Sequence, residues 1–300
     1  IDVGGTHTDG VLVKKEKVKS DLKYKIADTS KVSTDQSNLK DSILSVLDNL
    51  IQNENNSEIE RIVLSTTLAT NIIQEEKYDP VGLILIPGPG LNPEYLMYGE
   101  ENIILSGYID HRGKEVKSLD EKEIIKGLDK LKDKGIKKIA VVGKFSIRNP
   151  IQEKKVKEII DHKNYDFKTV TLGHKLSGNL NFSRRIITAY FNTAVNSIHK
   201  NFIKAIENSL QERDIEADIH LLKCDGGTIS LNQSLNTPVK TVNSGPAASI
   251  MGTMVLSENE ETGVVLDIGG TTTDIGLIIN GEPAFMPKGI EINGYPTLVR

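Results

Sequence analysis

Asp2, Gly4, Gly5, Thr6, Thr8 and Asp9 stand in the opening segment IDVGGTHTDGVLV, and Asp267, Gly269, Gly270, Thr271, Thr273 and Asp274 stand in the same order in LDIGGTTTDIGLI, residues 266–278. With Leu12 and Leu277, seven identities share one offset of 265 residues, which chance does not readily produce. A glycine pair flanked by hydroxyls and carboxylates suits polyphosphate chemistry. Glycine permits positive φ and close backbone approach, successive N–H groups form an anion-binding nest, and threonine hydroxyls add donors. Gly4, Gly5, Thr6, Thr8, Gly269, Gly270, Thr271 and Thr273 are therefore candidate phosphate-binding residues. Asp2 and Asp267 would repel phosphate if bare, and fit instead as catalytic residues holding Mg2+, which takes few carboxylates and keeps several waters. The plainer alternative is a pair of β-hairpins with glycine turns; retention of Asp and Thr in both copies weighs against it. Asp9 and Asp274 either accept backbone N–H bonds within their own turns or join the chemistry, the turn role being preferred.

Apolar strands must enter and leave each turn: Ile1–Val3 and Val11–Val13 around the first, Val264–Ile268 and Leu277–Ile279 around the second. Between the copies, strand and helix periods alternate. Leu39, Ile43, Val46, Leu47 and Leu50 recur at helical spacing, while Arg61–Ser65, Val81–Ile86 and Ile139–Val142 read as strands. Ser118-x-x-Glu121 is a capping-box signal for a helix that Gly135 ends, Asn149-Pro150 starts another, and Asn181–Leu210 is the longest, expected between two lobes. Alternation of this kind indicates an α/β chain. Three hundred residues exceed one typical core, so two lobes are expected, 1–173 and 174–300, with one glycine hairpin in each.

Three further segments place polar residues at element ends. Thr66, Thr67, Thr70 and Asn71 follow Arg61–Ser65, at the carboxyl end where α/β ligands bind; a helix cap accounts for Thr66 or Thr67 and leaves Asn71 unexplained. Asp225-Gly226-Gly227 follows the apolar run Ile219–Lys223 and is by itself a common turn signal. Gly245 opens a helix of small residues, and either presents N–H groups to an anion or allows close helix packing.

In chain order, Asp2–Gly10, Thr66–Asn71 (TTLATN), Ser146–Pro150 (SIRNP), Asp225–Gly227, Ser244–Ala248 (SGPAA) and Asp267–Asp274 resemble the signature segments of the hydantoinase/oxoprolinase family, the ATP-dependent A-type subunits of the actin-like ATPase superfamily. The resemblance implies an actin-like (ribonuclease H-like) α/β fold, two lobes with mixed sheets and flanking helices. It implies ATP and Mg2+ as cofactors, with the two glycine turns gripping one triphosphate. The implied activity opens a cyclic amide, of hydantoin or 5-oxoproline type, by phosphorylating the lactam oxygen, with a B-type subunit as partner. On that resemblance Thr66, Thr67 and Asn71 become substrate-side candidates; Asp225, in a segment that could close around the nucleotide or face the substrate, is counted with them, and Gly245, at its helix start, with the phosphate-binding set. Ser65 stands where the family usually has glycine, His7 where it usually has phenylalanine, and Asn179–Asn181 where it is more acidic. The changes at Ser65 and Asn179–Asn181 bear on the substrate rather than the nucleotide. Family members are longer, so the chain, which begins inside a strand and stops at Arg300, is expected to be a fragment with an incomplete second lobe. Alternatives are a small-molecule kinase or ketone-carboxylase subunit of the same superfamily, and a non-enzymatic ATP-gated partner-binding protein.

The charge balance, 37 − 41 = −4 with no long single-sign block, argues against nucleic acid as main partner. Lys130, Lys132, Lys134, Lys137 and Lys138 read as solvated faces, and Arg184 and Arg185 as partners of surface acids. No apolar stretch reaches transmembrane length, and no signal peptide is evident. The lone Cys224 excludes an internal disulfide and reads as a buried strand thiol in a reducing, cytoplasmic setting. Six scattered histidines lack zinc-ligand spacing. A homo-oligomer stays open.

Overall fold

The computed structural model describes residues 1–18, 21–35, 37–52, 54, 56–256, 262–269 and 273–300. Two compact units emerge, each assembled from two stretches of chain: Ile1–Thr70 with Ile198–Phe285, and Asn71–Ser197 with Met286–Arg300. The expected boundary at 173/174 falls inside the second unit, and both glycine hairpins belong to the first.

The first unit begins with β1 (Asp2–Val3), β2 (His7–Val18), β3 (Asp21–Ser33), α1 (Leu39–Ile51) and β4 (Arg61–Thr66). β1 pairs antiparallel with β2 and parallel with β4. Val3, Thr8, Gly10 and Leu12 share one face by strand alternation, and α1 covers it. Helix α1 presents Ile43, Val46, Leu47 and Leu50 at i, i+3, i+4 and i+7, all buried against Val3, Leu64 and Leu221. Gly10 makes this approach possible, since a Cβ there would stand 2.2 Å from Val46 Cγ1.

Helix α2 (Leu68–Gln74) carries the chain into the second unit. There β5 (Val81–Ile86), β6 (Glu101–Ile104), β7 (Tyr108–Ile109), β8 (Glu115–Lys117), α3 (Glu121–Asp133), β9 (Lys138–Gly143), α4 (Ile151–His162) and β10 (Thr169–Leu172) follow. The sheet runs β10-β9-β5-β6, parallel throughout. Its central strands β5 and β9 are wholly buried, as parallel strands covered on both faces must be. Asp120 rather than Ser118 caps α3, its side chain accepting from Lys122 N at 2.9 Å, and Gly135 (φ +73°) follows the helix. Lys138 is not solvated: its side chain is buried, with Nζ 3.0 Å from Asp79 and 3.3 Å from Ala194 O.

Helix α5 (Phe182–Gln211) begins in the second unit and ends in the first. Its two arginines serve the interior, contrary to the surface reading. Arg185 is fully buried and donates to the carbonyls of Gly143, Lys144 (2.8 Å) and Asn179 (3.1 Å). Arg184 Nη1 donates to Gly289 O and Thr297 O. Loop carbonyls left over by parallel strands accept from a guanidinium in charge-assisted hydrogen bonds.

Back in the first unit come β11 (Asp218–Leu222), β12 (Thr228–Ser230), α6 (Leu231–Ser234), α7 (Ser244–Leu256), β13 (Gly263–Ile268), β14 (Thr273–Ile279) and β15 (Glu282–Pro283). The large sheet has the order β12-β11-β4-β1-β2-β3, with β11 parallel to β4. This late strand, inserted beside an early one, is why the first unit closes around both ends of the repeat. The second hairpin forms a separate sheet, β13-β14-β15. One face, with Asp267, Gly276 and Ile278, meets α7, and a Cβ on Gly276 would stand 2.4 Å from Ile250 Cγ1. The other face, Val264, Leu266, Ile268, Ile275 and Leu277, is exposed. By the repeat offset, that face corresponds to the one α1 covers on the first hairpin.

Candidate functional site

Parallel strands β1, β4 and β11 end side by side, with Asp2 paired to Ser65 and Leu221 to Leu64. Their carboxyl ends deliver Gly4-Gly5, Thr66–Thr70 and Asp225–Gly227 to one edge, the edge where α/β sheets bind ligands. Helix α7 is adjacent to it, so four segments far apart in sequence are neighbours here.

The first turn is a two-residue connection, Gly5-Thr6, closed by Gly4 N donating to His7 O at 3.0 Å. Neither Gly4 nor Gly5 has φ in the left-handed region, so conformational freedom is not why they are glycine. Gly4 is needed for space: a Cβ would lie 2.9 Å from His7 O. A Cβ on Gly5 would point into open space, the side a phosphate could approach. Thr6 is exposed, with its hydroxyl 3.2 Å from His7 Nδ1. Thr8 departs from the expectation: strand alternation puts its side chain on the α1 face, fully buried, 2.9 Å from Thr34 Oγ1. Its hydroxyl is committed to the hairpin's packing and not to the carboxylate face.

Asp2 faces Asp9 across the first hairpin, and Asp267 faces Asp274 across the second, so the repeat holds in register as well as in residue type. Asp9 is exposed and pairs with Lys31 at 3.1 Å instead of bracing its turn. Asp274 is pushed up from the usual carboxylate range by burial and then by the like charge of Asp267. Gly269, just after β13, and Thr273, first in β14, are exposed, and Thr273 departs from the expectation by sharing the face of its register partner Ile268 and not that of Asp267, while Gly270 and Thr271 lie outside the described residues.

Helix α7 joins the two hairpins. Ser244 Oγ accepts from Thr66 N at 3.1 Å, donates to Thr66 O at 3.2 Å, and lies 3.1 Å from Ser65 Oγ, anchoring the helix start to β4. Asp2 Oδ1 lies 3.7 Å from where a Cβ on Gly245 would be. Four residues on, Ser249 Oγ donates to Asp267 Oδ2. Positions i and i+4 share a helix face and stand about 6 Å apart along the axis, so one carboxylate from each hairpin meets the same stripe of α7.

Mg2+ fits this arrangement. Asp2 Oδ1 is a buried oxygen with no hydrogen-bond partner, which otherwise costs about 1–3 kcal/mol, and the missing side chain of Gly245 leaves room beside it. Among the described residues no three His, Cys, Asp or Glu form a closed metal cage. Two carboxylates with water and phosphate oxygens are the ligand set Mg2+ prefers.

The remaining segments divide between structure and chemistry. Thr66 is buried and its hydroxyl caps α2, accepting from Leu68 N at 3.1 Å. Thr67 is half-buried beside it, and Thr70 Oγ1 accepts from Asn243 N at 3.1 Å. Asn71 follows on α2 as the first residue of the second unit. Asp225 lies in the turn after β11, where Oδ1 accepts from Gly227 N (3.0 Å) and Oδ2 from Lys223 Nζ (2.8 Å). Burial pushes its carboxyl up, but the Lys223 and Gly227 hydrogen bonds outweigh that and hold it below its usual range. Cys224 sits in this turn, half-buried, rather than inside the strand. Lys223 and Ser249 escaped the sequence reading; an apolar strand end and a mid-helix serine carry no local signal.

No helix among the described residues is long and apolar enough to cross a membrane. The family model for the hydantoinase/oxoprolinase N-terminal region matches residues 1–163, and the hydantoinase/oxoprolinase model matches residues 185–300. The acetophenone carboxylase gamma subunit of Aromatoleum aromaticum is 29% identical over 181 residues, 58% of this chain and 24% of its own. The nucleotide-free structure of acetone carboxylase, solved in a study of ATP-dependent acetone carboxylation, superposes with a TM-score of 0.81 at 18% identity, covering 99% of this chain and 46% of that one. The ATP-dependent caprolactamase of Pseudomonas jessenii superposes with a TM-score of 0.72 at 20% identity, covering 91% and 42%. These likenesses show the fold, mixed α/β of the actin-like ATPase type. The chain spans between 24% and 46% of the length of these three relatives.

Proposed function

Because the chain belongs to the hydantoinase/oxoprolinase family, we propose that it is the ATP-dependent part of an enzyme that opens a cyclic amide by phosphorylating the lactam oxygen. The observation that carries this reading is the meeting of Asp2 and Asp267, one from each hairpin, with one face of α7. Asp2 and Asp267 would hold Mg2+, which when bound offsets triphosphate charge. The open side of Gly5, the hydroxyl of Thr6 and the helix start at Gly245 receive phosphate oxygens from the first hairpin's side. Gly269, Gly270 and Thr271 receive them from the second, whereas Thr273, paired with Ile268 on the face opposite Asp267, is turned away as Thr8 is. Thr67, Asn71 and Asp225 serve the substrate side, with Thr66 fixing the turn that presents them. Asp225, kept ionised beside Lys223, offers an acceptor to the ring N–H. The lactam oxygen attacks the terminal phosphorus and the bond to ADP breaks. Water adds to the activated carbon, the C–N bond breaks as the nitrogen takes a proton, and a second water hydrolyses the acyl phosphate that remains, releasing phosphate and the ring-opened carboxylate.

The caprolactamase likeness supports a cyclic amide, and hydantoin or 5-oxoproline type rings are the finer proposal. Relatives named as gamma and alpha subunits support a B-type partner subunit. We place the enzyme in the cytoplasm, where ATP is supplied. A second reading, activation of a ketone for carboxylation, is favoured by the acetophenone and acetone carboxylase likenesses.

The test is ATP turnover by the full-length protein with its partner subunit, with caprolactam, 5-oxoproline, hydantoin or acetone plus bicarbonate. Phosphate release stimulated by one lactam, with ring-opened product by mass spectrometry, is expected. Stimulation by the ketone alone selects the carboxylase reading, and a stable phosphoester product a kinase. Nucleotide-dependent capture of a protein partner with no stimulated turnover would leave only a binding role.

A further inference from the structure

We infer that Ser249 is a positioning residue for the cation-holding pair: its hydroxyl, bonded to Asp267 Oδ2, fixes the second carboxylate one helical turn from the place where Asp2 meets Gly245. The inference rests on the reading that Asp2 and Asp267 serve one divalent cation.

Three features argue for it. A serine inside a helix commonly points to solvent or turns its hydroxyl back to the carbonyl four residues earlier. Ser249 is directed instead at a strand of another sheet, while its own carbonyl takes the Thr253 hydroxyl at 2.8 Å. Second, Asp267 needs holding. It stands directly across from Asp274, and directly opposed like charges repel; a neutral hydroxyl fixes its rotamer without neutralising the charge a cation requires. Third, α7 is a dependable ruler. Its start is pinned to β4 through Ser244 and its next turn is pressed on β14 where Gly276 admits Ile250. Gly245 and Ser249 are thus held by two independent contacts, and the spacing of the carboxylates follows the helix pitch. Groups that orient a metal ligand in this way matter about 10- to 100-fold in metal affinity.

The test uses Mn2+ as a spectroscopic replacement for Mg2+, titrated into the full-length protein with a non-hydrolysable ATP analogue and followed by electron paramagnetic resonance. Ser249→Ala is expected to weaken Mn2+ binding about tenfold or more, with far-UV dichroism and melting temperature unchanged. Ser249→Thr keeps the hydroxyl and is expected to bind within about threefold of the parent, a rescue that a packing role would not predict. Asp267→Asn is expected to lose the tight site. If Asp267→Asn binds Mn2+ like the parent, the underlying reading of the site fails. If Asp267→Asn loses binding while Ser249→Ala binds like the parent, the role given to Ser249 is overturned and the site survives.

Discussion

Gly245 and Ser249 lie one turn apart on the same face of α7, and each meets a carboxylate from a different hairpin, Asp2 at the first and Asp267 at the second. A glycine and a serine at these positions have opposite uses. The glycine leaves a space beside a buried, unpartnered oxygen; the serine fills its space with a donor. The run SGPAAS therefore does more than allow tight packing, because a bulky side chain at 245 would occupy the ground next to Asp2 Oδ1.

Asp2→Asn and Asp267→Asn are each expected to lower ATP turnover by at least about a hundredfold, the scale of losing one preorganised charge-stabilising group. Stability should hardly change. Asp2 Oδ1 makes no hydrogen bond to lose, and the amide oxygen introduced by Asp267→Asn can still accept from Ser249. Turnover and thermal melts on the same preparations check this; near-normal turnover in either variant removes it from the metal-holding pair.

The hairpins were legible in the sequence because both copies carry the same residue types in the same strand register, Asp2 opposite Asp9 and Asp267 opposite Asp274. Helix spans such as Leu39–Ile51 and Phe182–Gln211 were legible from their 3.6-residue period. What escaped is what local period does not encode. Strand β11 pairs with β4 although Asp218 and Arg61, its register partner, stand 218 − 61 = 157 positions apart, and that pairing places both hairpins in one unit instead of one per lobe. Thr8 looked like a phosphate donor until strand alternation turned it onto the α1 face. Arg185 looked like the partner of a surface acid and Lys138 looked solvated, because their acceptors, loop carbonyls and Asp79, are set by tertiary packing.

Gly10→Ala is expected to destabilise the first unit by about 1–3 kcal/mol, the usual scale of overpacking, because the new methyl meets Val46 at 2.2 Å and Leu50 at 2.8 Å. The strain is local, so Val46→Ala in the same chain should relieve part of it. A double-mutant cycle by urea denaturation measures this coupling; strictly additive losses would show that β2 and α1 do not meet as described.

Leu50 and Leu266 test the asymmetry between the two copies. Leu50 is 5% exposed on α1, whereas Leu266 is 59% exposed on the uncovered face of β13. Leu50→Ala should cost about 2–5 kcal/mol, and Leu266→Ala no more than about 0.5 kcal/mol, in denaturation of the 300-residue chain. Equal losses would mean that the outer face of the second hairpin is packed after all.

His199 gives the fold a predictable weakness in acid. The imidazole is 1% exposed, with Nε2 2.9 Å from Ser234 Oγ and Nδ1 without a partner. Since the Ser234 hydroxyl donates to Leu231 O at 2.6 Å, Nε2 must be the donor to Ser234. Burial pushes its pKa down to about 4, against 6.5 for an exposed ring. Below pH about 6.5 the unfolded chain takes up a proton that the folded chain refuses, so stability is full above that pH and declines toward pH 4. The difference of 6.5 − 4 = 2.5 units corresponds to about 3 kcal/mol at most. His199→Gln keeps a donor in the Nε2 position and cannot titrate. Its stability deficit at about pH 7.5 should therefore shrink, or reverse, by about pH 5, measured by urea denaturation of both proteins at each pH. A deficit constant across that range would mean that His199 is protonated in the fold and that its pocket is wetter than the packing indicates.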